Sequence, residues 1–147
     1  MRRASGIATV SAMASHAWGR IHATAALAAV ELGDPAAAVH SVQAAAAASA
    51  RYGDCPTCSA LLNPVAAEAF ASLGDVGNAR YYREAAGQVA GYFASSAWQG
   101  MAEAAAGSVC RLEDDKAGAR RHFQMSSELF MKAGQPFWAD RSARNVA

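Results

Sequence analysis

Three stretches of the chain repeat one pattern at a nearly constant interval, and that interval limits the possible folds more than any other feature. LGDPAAAV from Leu32, LGDVGNAR from Leu73 and LEDDKAGAR from Leu112 each read as a helix that closes in a polar turn and reopens into an alanine-anchored helix. Aligning the anchors Ala38, Ala79 and Ala119 gives spacings of 41 and 40 residues. Repeats of that length are supersecondary units that bury their apolar faces only by stacking on one another. Each turn has a local cause. Gly33 and Gly74 can take the left-handed conformation that ends a helix. Asp34, Asp75 and either Asp114 or Asp115 can cap the helix that follows, and Pro35 sits where a missing N–H costs nothing.

Composition says what the repeated unit is made of. Of 147 residues, 40 are alanine, against 9 Val, 2 Ile and 3 Thr. Alanine is the strongest helix former and β-branched residues favour strands, so the chain reads as all-α. Methyl-sized side chains let antiparallel helices approach closely across a thin seam. The expected architecture is one domain over residues 1–147, an α-solenoid of about three antiparallel helical hairpins. Residues 1–14 would add a flexible stretch or an extra helix. Helices are expected at about 15–32, 35–51, 64–73, 76–89, 92–112, 116–133 and 137–146. Asn63-Pro64 reads as an N-cap and first turn, and Gly134-Gln135-Pro136 as a stop. Ala119, Phe123, Ser126 or Ser127, and Phe130 recur at helical steps and form one buried stripe.

The charge balance bears on partners. Thirteen basic and twelve acidic residues give a net charge of +1, so the field that would steer the chain to nucleic acid or an anionic membrane is missing. No run approaches the ~18 apolar residues of a membrane span. The opening Met1-Arg2-Arg3, with Ala12-Met13-Ala14 as a small-x-small site, resembles a signal peptide only faintly. Its middle holds just Ile7, Val10 and Met13 as larger apolar residues. Three cysteines are an odd number and no disulfide scaffold, so a reduced, cytoplasmic chain is expected.

Cys55-Pro56-Thr57-Cys58 is the segment most open to chemistry, because thiols two residues apart can meet as metal ligands or as a redox pair. A structural zinc needs four ligands, and no second CxxC follows. Cys110, His16, His22, His40 and His122 are scattered along the chain. A thioredoxin-like reading lacks its βαβ context. The all-helical alkylhydroperoxidase D family also uses CxxC, with a histidine four residues after the second cysteine, where Leu62 stands here. The preferred reading is small cysteines packed in an inter-repeat loop. His22 follows Trp18 by one helical turn, so the two share a face, and Trp18, Trp98 and Trp138 read as packing residues. No nucleophile–base set, phosphate loop or apolar carboxylate pair is present. Neither an enzyme nor a cofactor is expected.

The segment from Ser95 to Ala147, SSAWQGMAEAAAGSVCRLEDDKAGARRHFQMSSELFMKAGQPFWADRSARNVA, resembles a tetratricopeptide-type helical repeat. It is most similar to the ~40-residue variety in MalT-like and large LuxR-type bacterial regulators. The likeness rests on Ala119, on Phe123 one turn later and on the block ELFMKAGQPFWADR. PVAAEAFASLGDVGNAR and LAAVELGDPAAAV resemble the same unit earlier in the chain. Glu113-Asp114 departs from the family's glycine turn, and Arg83 stands where an aromatic or aliphatic residue is usual, so Tyr82 is expected to pack in its place. The resemblance covers the scaffold alone; no DNA-binding or ATPase segment is matched. It implies a groove lined by the first helix of each hairpin, with Arg20, Leu27, Glu68, Met101, Ser108 and Arg111 on the inner face. The expected function is therefore a non-catalytic protein- or peptide-binding module in a bacterial regulatory or signalling system. The alternative is a thiol-redox or metal-binding protein using Cys55 and Cys58. Self-assembly through the terminal helices, with Phe137, Trp138 and Val146 exposed, is a further possibility.

Overall fold

In the computed structural model, residues 6, 8, 9 and 13–146 are described; the expectation for residues 1–14 lies for the most part outside them. Among the described residues from 13 onward, seven helices follow in order: α1 (Ala14–Glu31), α2 (Pro35–Tyr52), α3 (Pro56–Ser72), α4 (Val76–Phe93), α5 (Ser96–Leu112), α6 (Lys116–Lys132) and α7 (Pro136–Ala143). No strand occurs among the described residues. The fold is an all-α stack of three antiparallel hairpins, α1/α2, α3/α4 and α5/α6, with α7 packed against α6. The first helices α1, α3 and α5 pack side by side, while α2, α4 and α6 have no comparable packing on one another. Close first helices and splayed second helices curve the stack, with α1, α3 and α5 on the inner side.

Four turns close in the same way. The N–H groups of Asp34, Asp75, Asp115 and Gln135 donate to the carbonyls of Ala29, Phe70, Cys110 and Phe130 at 2.9–3.0 Å. Each bond reaches five residues back, as in a Schellman stop. Just before it, Gly33, Gly74, Asp114 and Gly134 take φ of 72°, 79°, 61° and 68°. The third turn therefore places an aspartate in the left-handed position that the other turns give to glycine. The carboxylates of Asp34, Asp75 and Asp115 accept from the N–H groups of Ala37, Asn78 and Gly118 at 2.9, 3.0 and 2.8 Å. Of the two candidate caps in the third turn, Asp115 is the one used.

The expected helix start at Asn63-Pro64 is overturned. Helix α3 begins at Pro56, with Cys55 as N-cap, and runs through Pro64. An interior proline removes a hydrogen bond and costs ~3 kcal/mol. Tertiary burial offsets that cost, because α3 is covered by α1, α2, α4 and α5 and buries Val65, Ala66, Ala67, Ala69 and Phe70. One consequence is that the CPTC segment does not lie in a loop. Elsewhere α4 extends to Phe93, α5 starts at Ser96, and α7 ends at Ala143.

Small residues set the helix spacing. Ala26, Ala66 and Ala79 are fully buried beside Val42, Val65, Phe70 and Val109. A Cβ on Gly107 would stand 3.0 Å from the Phe123 ring. The α6 stripe is buried at Ala119, Phe123, Ser126 and Phe130. Tyr82 stacks on Phe70 with ring centroids 5.5 Å apart, while Arg83 is exposed. Ser126 Oγ donates to the Gly100 carbonyl at 2.8 Å and lies 2.8 Å from Ser142 Oγ, fastening α7 to α5 and α6.

Candidate functional site

The inner face brings together half of the residues assigned to it from sequence. Glu68, Ser108 and Arg111 surround a cavity of about 250 Å³ with Ala71, Ser72 and Leu112. Leu27 packs against the core cluster of Val42, Val65 and Phe70. Met101 is not a groove residue: it is buried with Phe130 and Ala139 beneath Trp98 and Trp138, because the flanking aromatics fold over it. Arg20 is exposed on α1 and does not line the cavity.

A residue outside the sequence reading crosses this face. Arg141 of α7 is buried, and its guanidinium pairs with Glu31 at the end of α1 and, at 2.8 Å, with Glu68 of α3. It also lies 5.7 Å from the Trp138 ring centroid. Burial disfavours its charge, but Glu68 and Glu31 outweigh that and hold its pKa above the ordinary arginine value. Next to this closed contact the surface turns cationic. Arg111 sits over the Phe123 ring at 4.7 Å and donates to Asn145 Oδ1 at 2.8 Å. With Lys116, Arg120 and Arg144 it borders a second cavity of about 340 Å³.

A second cluster forms where α3 begins. Cys55 and Cys58 are joined as a disulfide with a Cα–Cα distance of 5.2 Å, so this pair departs from the reduced chain expected from cysteine count. The spacing explains it: N-cap and N3 positions of one helix lie within disulfide reach. His16 of α1 faces both sulfurs, its Nδ1 3.4 Å from Cys55 Sγ and 3.2 Å from Cys58 Sγ. Cys58 is buried against Gly19, where a Cβ would come within 2.7 Å of the Cys58 Cβ, and Cys55 is half-exposed beside the Thr57 hydroxyl at 3.4 Å. The three donor atoms lie within 4.8 Å of one another, one donor fewer than a closed tetrahedral zinc site takes.

Sequence reasoning missed His16, although the repeat length held the signal. Neighbours in the inner layer lie about one period apart, and His16 precedes Cys55 and Cys58 by 39 and 42 residues. The Trp18 and His22 rings stack at 5.3 Å. Burial of His22, and secondarily the charge of His40, lowers the His22 pKa from 6.5. No helix is long and apolar enough to cross a membrane among the described residues.

Fold and site together define an all-α helical-repeat protein with a cavity on its inner face and a separate thiol cluster. No protein-family model, curated protein or solved structure matches the chain.

Proposed function

We propose that the chain is a protein- or peptide-binding scaffold of the tetratricopeptide type, working in the cytoplasm of a bacterium within a regulatory or signalling system. The observation that carries this reading is the inner face itself. Glu68, Ser108 and Arg111 open onto a cavity there, and Arg111 and Arg120 border the next one. Arg141 offsets one of the two charges of Glu31 and Glu68, and the basic surplus lies at the second cavity, where Arg111 and Arg120 stand beside Lys116 and Arg144, the last two paired with Asp114 and Asp140. A segment carrying carboxylates fits it, since arginine binds a carboxylate through paired donors. Affinity would come from a few such anchors rather than from the whole area.

Binding of an immobilised peptide library to the full chain tests this. Bound peptides are expected to be rich in Asp and Glu, and Arg111→Ala with Arg120→Ala is expected to weaken them by about tenfold or more. Equal binding by the variant, with its helicity intact by circular dichroism, would sink the reading. Recovery of the chain's own copies alone would favour self-assembly through α7, where Phe137 is 57% exposed.

A further inference from the structure

We infer that Cys55 and Cys58 form a thiol–disulfide exchange site, with Cys55 the attacking and Cys58 the resolving sulfur, that acts on a disulfide carried by a polypeptide. This rests on the thiol cluster and not on the inner face.

Four observations converge. First, the disulfide closes a loop of only four residues, Cys55 to Cys58. Cross-links stabilise a fold least when the loop is short, so a purely structural role is weakly motivated. Second, the sulfurs differ in access: Cys55 is half-exposed at the N-cap of α3, whereas Cys58 is 3% exposed. Pro56 has no N–H and the N–H groups of Cys58 and Ser59 donate to the Cys55 carbonyl, so what favours a thiolate at Cys55 is the positive end of the α3 dipole. Third, His16 Nδ1 lies within reach of both sulfurs, so one imidazole can take a proton from either thiol in turn. Fourth, an apolar cavity of about 450 Å³ is lined by Pro56, the residue that follows Cys55 in the chain, with Gln88, Val89, Tyr92 and Phe93. Tyr92 is 83% exposed there. An apolar shelf that starts one residue from the attacking cysteine suits a polypeptide chain better than a small, charged disulfide.

The exchange balances without a further reactant. The Cys55 thiol passes its proton to His16, and its sulfur bonds to one sulfur of the partner disulfide. The partner's S–S bond breaks, and the departing thiolate takes that proton. Cys58 then loses its proton through His16 and attacks Cys55 Sγ. The mixed disulfide breaks, and the second departing thiolate is protonated. The partner gains two electrons and two protons, and Cys55–Cys58 becomes the disulfide.

The test uses the full chain carrying Cys110→Ser, reduced, desalted and mixed with insulin or with glutathione disulfide. One equivalent of insulin disulfide is expected to be reduced per chain, and Cys58→Ser is expected to accumulate a Cys55–insulin adduct visible by mass spectrometry. Tyr92→Ser should slow the reaction with insulin by about tenfold while leaving that with glutathione disulfide unchanged, and His16→Gln should slow both. Rapid alkylation with peptide mapping of the otherwise unsubstituted protein provides a check that needs no folded Cys58 variant: Cys55 should react at least about tenfold faster than Cys58. Equal alkylation of the two, no adduct from a folded Cys58→Ser chain, or faster reaction with glutathione disulfide than with insulin would each overturn the assignment. So would one equivalent of zinc in the purified protein that protects both thiols until it is chelated.

Discussion

Arg141 shows how one side chain can settle the character of a surface. Its partners Glu31 and Glu68 belong to α1 and α3, and without it both carboxylates would face the inner layer unpaired. Arg141→Met keeps the apolar stem beside Trp138 and removes the charge. It is expected to destabilise the fold by about 1–3 kcal/mol in urea unfolding, the range for losing hydrogen bonds to charged groups. Pairing it with Glu68→Gln should recover part of that loss in a double-mutant cycle. Asp114 offers the opposite case. It takes φ 61° where glycine serves three other turns, so Asp114→Gly is expected to raise stability by up to about 1 kcal/mol, read as a higher melting temperature. His22 carries a pH signature. Its folded pKa is lowered by burial and by His40, so below pH 6.5 the unfolded chain takes a proton that the folded chain resists. Its contribution to stability is present above 6.5 and is lost as pH falls through the folded pKa. Melting temperatures between pH 7 and 5 should fall less steeply for His22→Gln.

At the scale of elements, boundaries with strong local chemistry were readable and those decided by packing were not. The caps Asp34 and Asp75 and the stops Gly33 and Gly74 announce their turns, and α2 and α6 start where the sequence places them. Helix α3 does not, because Pro64 imitates a helix start and only the burial around Val65 and Phe70 overrides it. That one displaced boundary also moved Cys55 and Cys58 from a loop to the head of a helix, which hid their chemistry. His16 was hidden for another reason: a contact across one repeat leaves no local pattern. Close helix approach makes its own prediction. Gly107→Ala would press a methyl group toward the Phe123 ring, already 3.0 Å from the Cβ position. A cost of about 1–3 kcal/mol is expected in thermal or urea unfolding, and an unchanged midpoint would show that α5 and α6 can part without loss.

For the whole molecule, the repeat length carries most of the architecture. First helices begin at residues 14, 56, 96 and 136, and second helices at 35, 76 and 116. The residues around the inner cavity recur at the same interval, with Glu68, Ala71 and Ser72 of α3 in register with Ser108, Arg111 and Leu112 of α5. What the period cannot convey is how the two ends of the stack relate, because that depends on a contact 110 residues apart in the chain, Arg141 to Glu31. That contact has a mechanical consequence. A row of hairpins tied only to its neighbours can fray from either end, one unit at a time. A row in which α7 clasps α1 across the helices between them is closer to a buckled belt, so loosening the buckle should speed amide exchange at the far tip of α1 as well as in α7.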